Sequence, residues 1–225
     1  LNIRREKGSH TRNEILERAV QIASVEGLEG ISLGRLADEV GMSKSGLFAH
    51  FRSKRKLQLA VVETARSMFI EEVIGPAQRA PSGVKRLRKL AESWLSYAER
   101  NVFQGGCFFL AASLEFDSRP GAVRDRITAI MSDWLRLLES EIRQARTNLE
   151  LVGDADPAQL AFEINSQMMG ANWAFQLLGV RKGFRPGQNC DRTKVGELRR
   201  IRSHTASWLA NSGCFASGNH SLKVP

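Results

Sequence analysis

Ser43, Lys44 and Ser45 stand between two glycines, Gly41 and Gly46. A lysine and two hydroxyls in that setting suggest two kinds of chemistry. One is a loop that cradles phosphates, but such a loop follows its second glycine with Lys and Ser or Thr. Here Leu47-Phe48 follow, and no strand-like run precedes. The other is the first turn of a helix that presents short polar and basic side chains outward. Side chains of that kind reach base edges in a DNA major groove. No glycine pair has dinucleotide-loop spacing and no H-E-x-x-H occurs, so no catalytic residue is assigned and no enzyme is expected. Cys107, Cys190 and Cys214 lie far apart, as do His10, His50, His204 and His220. That spacing suits neither a disulfide framework nor a zinc site, so no metal and no cofactor are expected. Ordinary thiols fit a reducing compartment.

A helix that presents Ser43–Ser45 needs a second helix to hold it. Ser32 reads as the N-cap of a segment over 33–40, with Gly41 as its stop. Two short helices that cross steeply need a small side chain where they touch, and Ala37 supplies it. The turn needs a residue tolerant of positive φ, and Gly41 supplies that. Val40, Met42 and Leu47 would seal the crossing. Ahead of the pair, Ile15, Leu16, Ala19, Val20, Ile22 and Ala23 mark one face of a helix over 12–24, with Gly27 as its stop. After it, Ser53 caps a longer helix carrying Leu57, Ala60, Val61 and Ala65. Gly75-Pro76 and Pro81-Ser82-Gly83 mark a break.

The rest of the chain also reads as helical. Segments are expected over 84–101, over 104–116 (almost wholly apolar, hence buried on all sides), over 122–149 and over 157–178. The last has Asp156 as N-cap and Gly179 as stop. Residues 180–191 read as loop, 195–209 as a further helix, and the Ser/Gly-rich end as disordered. The expected fold class is all-α. Residues 1–66 would form a three-helix helix-turn-helix domain, 67–210 a helical effector-binding and dimerisation domain, and 211–225 a disordered tail.

The stretch from Thr11 to Leu59 resembles the DNA-binding domain of the tetracycline-repressor family. The residues that carry the likeness are Thr11-Arg12, Gly27, Ser32, Leu36-Ala37, Gly41, Ser43, Gly46-Leu47-Phe48, His50-Phe51 and Ser53-Lys54. The resemblance implies that Thr11 and Ser32 are phosphate-contacting helix starts. It implies that Ser43, Lys44 and Ser45 enter the major groove, and that Phe48, His50 and Lys54 lie along the DNA backbone. Phe48 departs from the pattern, because the family usually has a tyrosine there whose hydroxyl bonds a phosphate. Arg4, Arg5 and Lys7 precede the first expected helix, as a solvated basic arm or one that reaches a minor groove.

The resemblance also implies a small-molecule effector, held among Trp94, Phe108, Phe109, Met131, Trp134, Met168 and Trp173. Phe103, Phe116 and Met169 could join them, and each of these side chains would serve equally as plain core. Two further motifs, Gly105-Gly106-Cys107-Phe108 and Glu115-Phe116-Asp117-Ser118-Arg119-Pro120-Gly121, resemble those of a subset of the family. Glu115 or Asp117 would meet a cationic ligand or, more simply, face solvent.

The net charge is +9 over 225 residues. It sits at the two ends: +4 over residues 1–60, −2 over 61–180 and +7 over 181–225. Lys and Arg neutralise phosphates and release counterions, so a polyanionic partner is expected. That partner is double-stranded DNA with a palindromic operator, since one helix-turn-helix reads only a half-site. A homodimer follows, with a seam along Ala158, Ala161, Ile164, Met168, Ala171 and Phe175 and with 195–209 beside it. The lack of a membrane-length apolar run and of a leader-like start points to no membrane association and to the cytoplasm. The expected function is a transcriptional regulator, a repressor released by its effector. The competing readings are a small-molecule-binding helical protein or enzyme without a DNA role, and a structural adaptor.

Overall fold

The computed structural model describes residues 2–151, 153 and 155–179, with side chains from residue 11 onward. All regular structure among them is helical: α1 (Asn2–Glu26), α2 (Leu33–Glu39), α3 (Lys44–Phe51), α4 (Lys54–Phe69), α5 (Gly75–Gln78), α6 (Val84–Glu99), α7 (Phe108–Phe116), α8 (Ala122–Thr147) and α9 (Pro157–Leu178). The expected 195–209 helix and the 211–225 tail lie outside the described residues.

Local chemistry sets most of the boundaries. The hydroxyls of Ser32, Ser43 and Ser53 accept from the N–H groups of Arg35, Gly46 and Lys56, three residues on in each case. The Asp156 carboxylate accepts from Ala158 and Gln159. Each cap satisfies a donor that the first turn would leave orphaned, worth about 0.5–2 kcal/mol. Gly27, Gly41 and Gly179 end their helices at φ of +88°, +66° and +64°, where a Cβ would be strained.

Three boundaries differ from expectation. First, α1 starts at Asn2 rather than near Arg12, because nothing in residues 2–10 but a single glycine opposes continuation of the helix. Arg4, Arg5 and Lys7 therefore belong to the helix and do not form an arm before it. Second, α4 does not stop before Gly75-Pro76. It passes through a π-helical turn (Ile70–Ile74) straight into α5. Pro76 has no N–H to give, and Gly75 N–H reaches back five residues to Ile70 O, so the π turn absorbs the proline without a break. Third, α7 is shorter than the expected 104–116 and is not buried all round: Ala111 and Leu114 are exposed. Gly105 and Gly106, the latter at φ +85°, hold residues 100–107 in a turn instead.

The core is continuous from the first helices to the last. α1 packs on α4, α4 on α8, α8 on α9 and α6, and α7 bridges α1 and α8. The polar turn between α5 and α6 is held from inside. The buried Glu141 carboxylate of α8 accepts from Ser82 Oγ at 2.6 Å and Gly83 N–H at 2.8 Å, and pairs with Arg86 at 3.1 Å. A carboxylate this buried is tolerated only with such partners.

Candidate nucleic-acid interface and effector cavity

α2 and α3 cross where Leu36, Ala37 and Leu47 are wholly buried. Met42 N–H donates to Ala37 O at 2.9 Å, so the small residue and the tight turn meet where the sequence placed them. The crossing leaves the N-terminus of α3 outward. Ser43, Lys44 and Ser45 are all exposed, with the Ser43 and Ser45 hydroxyls 3.2 Å apart. The Lys44 side chain passes over Gly34, whose missing Cβ leaves room for it. Lys44, Arg52, Arg55 and Lys56 have no carboxylate partner among the described residues. By contrast, Arg18 and Arg35 are both tied to Glu39, and Arg35 also to Glu26. Those guanidiniums hold the Glu39 carboxyl below its ordinary range. The surface around α3 is thus sorted into cations already neutralised and cations left open to an anion.

Not every expected contact keeps its role. Thr11 lies within α1, nine residues beyond its start, so it is no helix-start phosphate cradle. Its N–H belongs to a continuous helix, not to an open first turn. Ser32 does stand at a helix start, and its hydroxyl is used as the cap of α2. Lys54 Nζ is 2.7 Å from Glu29 Oε1. The Lys54 and Gln58 side chains together hold the Glu29 carboxyl down. Lys54 is therefore a clamp between α4 and the turn after α1 before it is a DNA contact. Phe48 is 53% exposed, an apolar ring on a polar surface. His50 is half-buried with its ring 6.2 Å from that of Phe51. Arg52, Arg55 and Lys56 were not singled out from sequence. Their signal was the run of basic residues from Arg52 to Lys56. Gly30-Ile31-Ser32-Leu33-Gly34 has the letters of a serine-hydrolase elbow, but its serine caps a helix and no strand precedes it.

A cavity of about 80 Å³ opens between α4, α6, α7, α8 and α9. Of the seven expected ligand contacts, Trp94, Phe109, Met131 and Trp134 line it. Phe108, Met168 and Trp173 do not. Phe108 is adjacent to Phe109 on one helix, so it points elsewhere, into a ring cluster with Phe103. Met168 is buried in the protein core and Trp173 is 55% exposed on the outer side of α9. Phe103 and Phe116 are core, whereas Met169 does line the cavity. Residues missed from sequence include Phe69, Ile70 and Ile74, from α4 and its π turn, together with Cys107, Leu110, Ile130, Leu137 and Asn165. Phe69 is central: its ring meets those of Tyr97, Phe109 and Trp134 edge-on at 5.3–5.9 Å. Only the fold brings α4 against α8, so no local pattern marks it. Asn165 Oδ1 accepts from Trp134 Nε1 at 3.0 Å, which fixes the indole in the wall. Arg66 and Asp133 supply opposite charges to the lining. Beside it, the Tyr97 hydroxyl is buried against the Cys107 thiol and the Phe108 backbone without a well-formed hydrogen bond. Burial first, and the Cys107 thiol second, push that phenol well above its ordinary range.

Comparison with known proteins agrees with this arrangement. Residues 15–61 match the family described as bacterial regulatory proteins, tetR family. Residues 83–186 match the tetracyclin repressor-like C-terminal domain. The chain belongs to the TetR family. It is a DNA-binding transcriptional regulator, and the outward N-terminus of α3 suits that role. Nucleoid occlusion factor SlmA of Vibrio vulnificus is 27% identical over 175 residues, which is 73% of this chain and 83% of that one. A TetR transcriptional regulator from Chloroflexus aurantiacus superimposes with a TM-score of 0.72 at 26% identity, covering 77% of this chain and 88% of that one. AibR, solved in complex with isovaleryl coenzyme A and operator DNA, shares the fold with a TM-score of 0.62 at 24% identity. That match covers 83% of this chain and 96% of AibR. No described helix is long and apolar enough to cross a membrane.

Proposed function

We propose that the protein is a repressor that binds a palindromic operator as a homodimer and leaves it when a small, largely apolar molecule enters the cavity. The observation that carries this reading is one helical path. The cavity wall includes Phe69 and Ile70, which continue without a loop from the capped start of α4, beside α3. A ligand that displaces these residues tilts the recognition helix. It need only favour a dimer whose two α3 helices no longer match grooves about 34–36 Å apart. Such coupling is typically ~1–3 kcal/mol, or roughly 5- to 150-fold in affinity.

The dimer uses the outer face of α9. Of the six residues of the expected seam, Ala161, Met168 and Ala171 are buried within the chain, while Ala158 is exposed and Ile164 and Phe175 are half-buried. The opposite side of the same helix exposes Phe162, Trp173 and Leu177, which a second copy would cover. Ser43, Lys44 and Ser45 read the bases, while Arg52, Arg55 and Lys56 meet phosphates. The protein works in the cytoplasm, with the DNA.

The test starts from random duplexes selected on the protein, followed by titration of the enriched one. A palindrome should emerge, with affinity falling steeply as salt rises. Lys44→Ala should weaken specific binding far more than Lys89→Ala on α6. Equal effects would remove α3 from the interface. An inducer must bind the free protein more tightly than the operator complex, by the factor with which it weakens DNA binding.

A further inference from the structure

The two motifs that the DNA contact does not explain, around Gly105-Gly106 and around Glu115, meet in one contact system. α7 begins in the cavity wall, where Cys107, Phe109 and Leu110 line the space. It ends against the DNA-binding domain. There the Glu115 carboxylate, half-buried rather than facing solvent, reaches the turn between α1 and α2. Leu28 N–H donates to Oε2 at 2.7 Å and Glu29 N–H donates to Oε1 at 2.8 Å. Gly27 leaves room for it: a Cβ there would stand 2.9 Å from Oε1, at a φ of +88°. The loop before α7 grips the same end of α1. Gln21 donates to Val102 O at 2.9 Å and accepts from Gln104 N–H at 3.0 Å, and Gly105 N–H donates to Ser24 Oγ at 3.1 Å. The last turns of α1 are thus held from both ends of one helix, and that helix borders the cavity.

We infer that Glu115 is a positioning residue that sets the angle of the DNA-binding domain on the effector domain, making α7 a second strut beside α4 between cavity and recognition helix. This rests on the dimeric-operator reading above. The chemistry favours a carboxylate at this position. Two converging N–H donors need two acceptor oxygens, and a carboxylate offers both. Glutamine has the same shape but offers one oxygen and one NH₂, which would face a backbone N–H donor to donor. Aspartate keeps the charge but is one methylene too short to span the gap. A ligand that moves the start of α7 moves its end, and the carboxylate passes that movement to α1 without altering any residue that touches DNA.

Duplexes whose half-sites are moved apart or together by one or two base pairs test this. A rigid dimer is selective for spacing, and a dimer with loosened DNA-binding domains is not. Wild type should lose about tenfold or more in affinity on the altered spacings. E115Q and E115D should flatten that preference to within about threefold while keeping wild-type helicity and a single unfolding transition. Hydrogen exchange at the Leu28 and Glu29 amides should accelerate in both variants. A role confined to stability would instead lower binding to all spacings by one factor. Wild-type spacing selectivity in E115Q, with the two amides exposed to exchange, would overturn the proposal. So would amides that stay protected in both variants. A wild-type protein indifferent to palindromic sites would refute the dimeric reading itself, and the strut with it.

Discussion

Gly105→Ala tests the docking of the two domains at its tightest point. A Cβ at residue 105 would lie 1.8 Å from the Ser24 carbonyl oxygen and 2.4 Å from its carbon. Both atoms are backbone at the end of α1, so no side-chain rotation relieves the overlap. The loop over 100–107 must lift by more than an ångström. That movement breaks the two Gln21 bonds and the Gly105-to-Ser24 bond. At about 1 kcal/mol each, three lost hydrogen bonds cost about 3 kcal/mol. For a chain of this size each kcal/mol shifts Tm by about 2–4 °C, so a drop of about 6–12 °C is expected. Gly41→Ala is the control. Its φ is +66° and nothing lies within 4 Å of the added Cβ. It should cost only the left-handed backbone strain of about 1–2 kcal/mol. Thermal unfolding followed by circular dichroism measures both variants. A Gly105→Ala protein that melts within about 2 °C of wild type, or no lower than Gly41→Ala, would refute the close approach of the loop to α1.

Acid should weaken the fold through the carboxyls of Glu29, Glu39 and Glu63, whose pKa values are all lowered from 4.5 by Lys54 with Gln58, by Arg18 with Arg35, and by Arg126 respectively. A depressed folded-state pKa contributes stability that is complete above the unfolded value and is lost as pH falls through the folded one. Tm should therefore drop below about pH 4.5, and E29Q and E63Q should flatten that drop; an unchanged profile in both would contradict it. Tyr97→Phe should leave Tm within about 2 °C of wild type, because the buried hydroxyl makes no well-formed hydrogen bond and meets only the Cys107 thiol and the Phe108 backbone; a larger loss of stability by calorimetry would mean the hydroxyl is bonded in solution. Trp173→Asp should yield folded monomers, whereas Met168→Asp should unfold the subunit, since one side chain is 55% exposed and the other 5%; sedimentation velocity with circular dichroism separates the two outcomes.

Most of the helix-turn-helix is legible in the sequence alone. Its determinants are local: a hydroxyl three residues from the N–H it caps, a glycine at a positive φ, an alanine at a crossing. Each of these acts within one turn of helix, so spacing along the chain reports it. The start of α1 was misplaced because no cap or breaker marks it. The run into Gly75-Pro76 was misjudged because a π turn, invisible to residue type, carries the helix past a proline.

The effector domain was legible only as a set of helices. That a side chain is aromatic and helical says nothing about which neighbour its helix will meet. Trp94, Phe109, Met131 and Trp134 face one cavity, while Phe108, Met168 and Trp173 face elsewhere, and the seven are alike in composition. The same holds for the seam on α9. An apolar repeat at every third or fourth residue marks a buried stripe, but packing decides whether the subunit's own α8 or a second copy covers it. Glu115 is the clearest case. A carboxylate near a helix end reads as solvated, and its two partners are backbone amides 86 and 87 residues away in the chain, groups that every residue but proline carries and that no pattern distinguishes. By itself the sequence therefore determined most of the helices, their side-chain caps and the outward placement of Ser43, Lys44 and Ser45, because these depend on neighbours within a few positions. Tertiary structure alone decided the cavity wall, the outer face of α9 and the grip of α7 on α1, because each depends on which distant surfaces exclude water from one another.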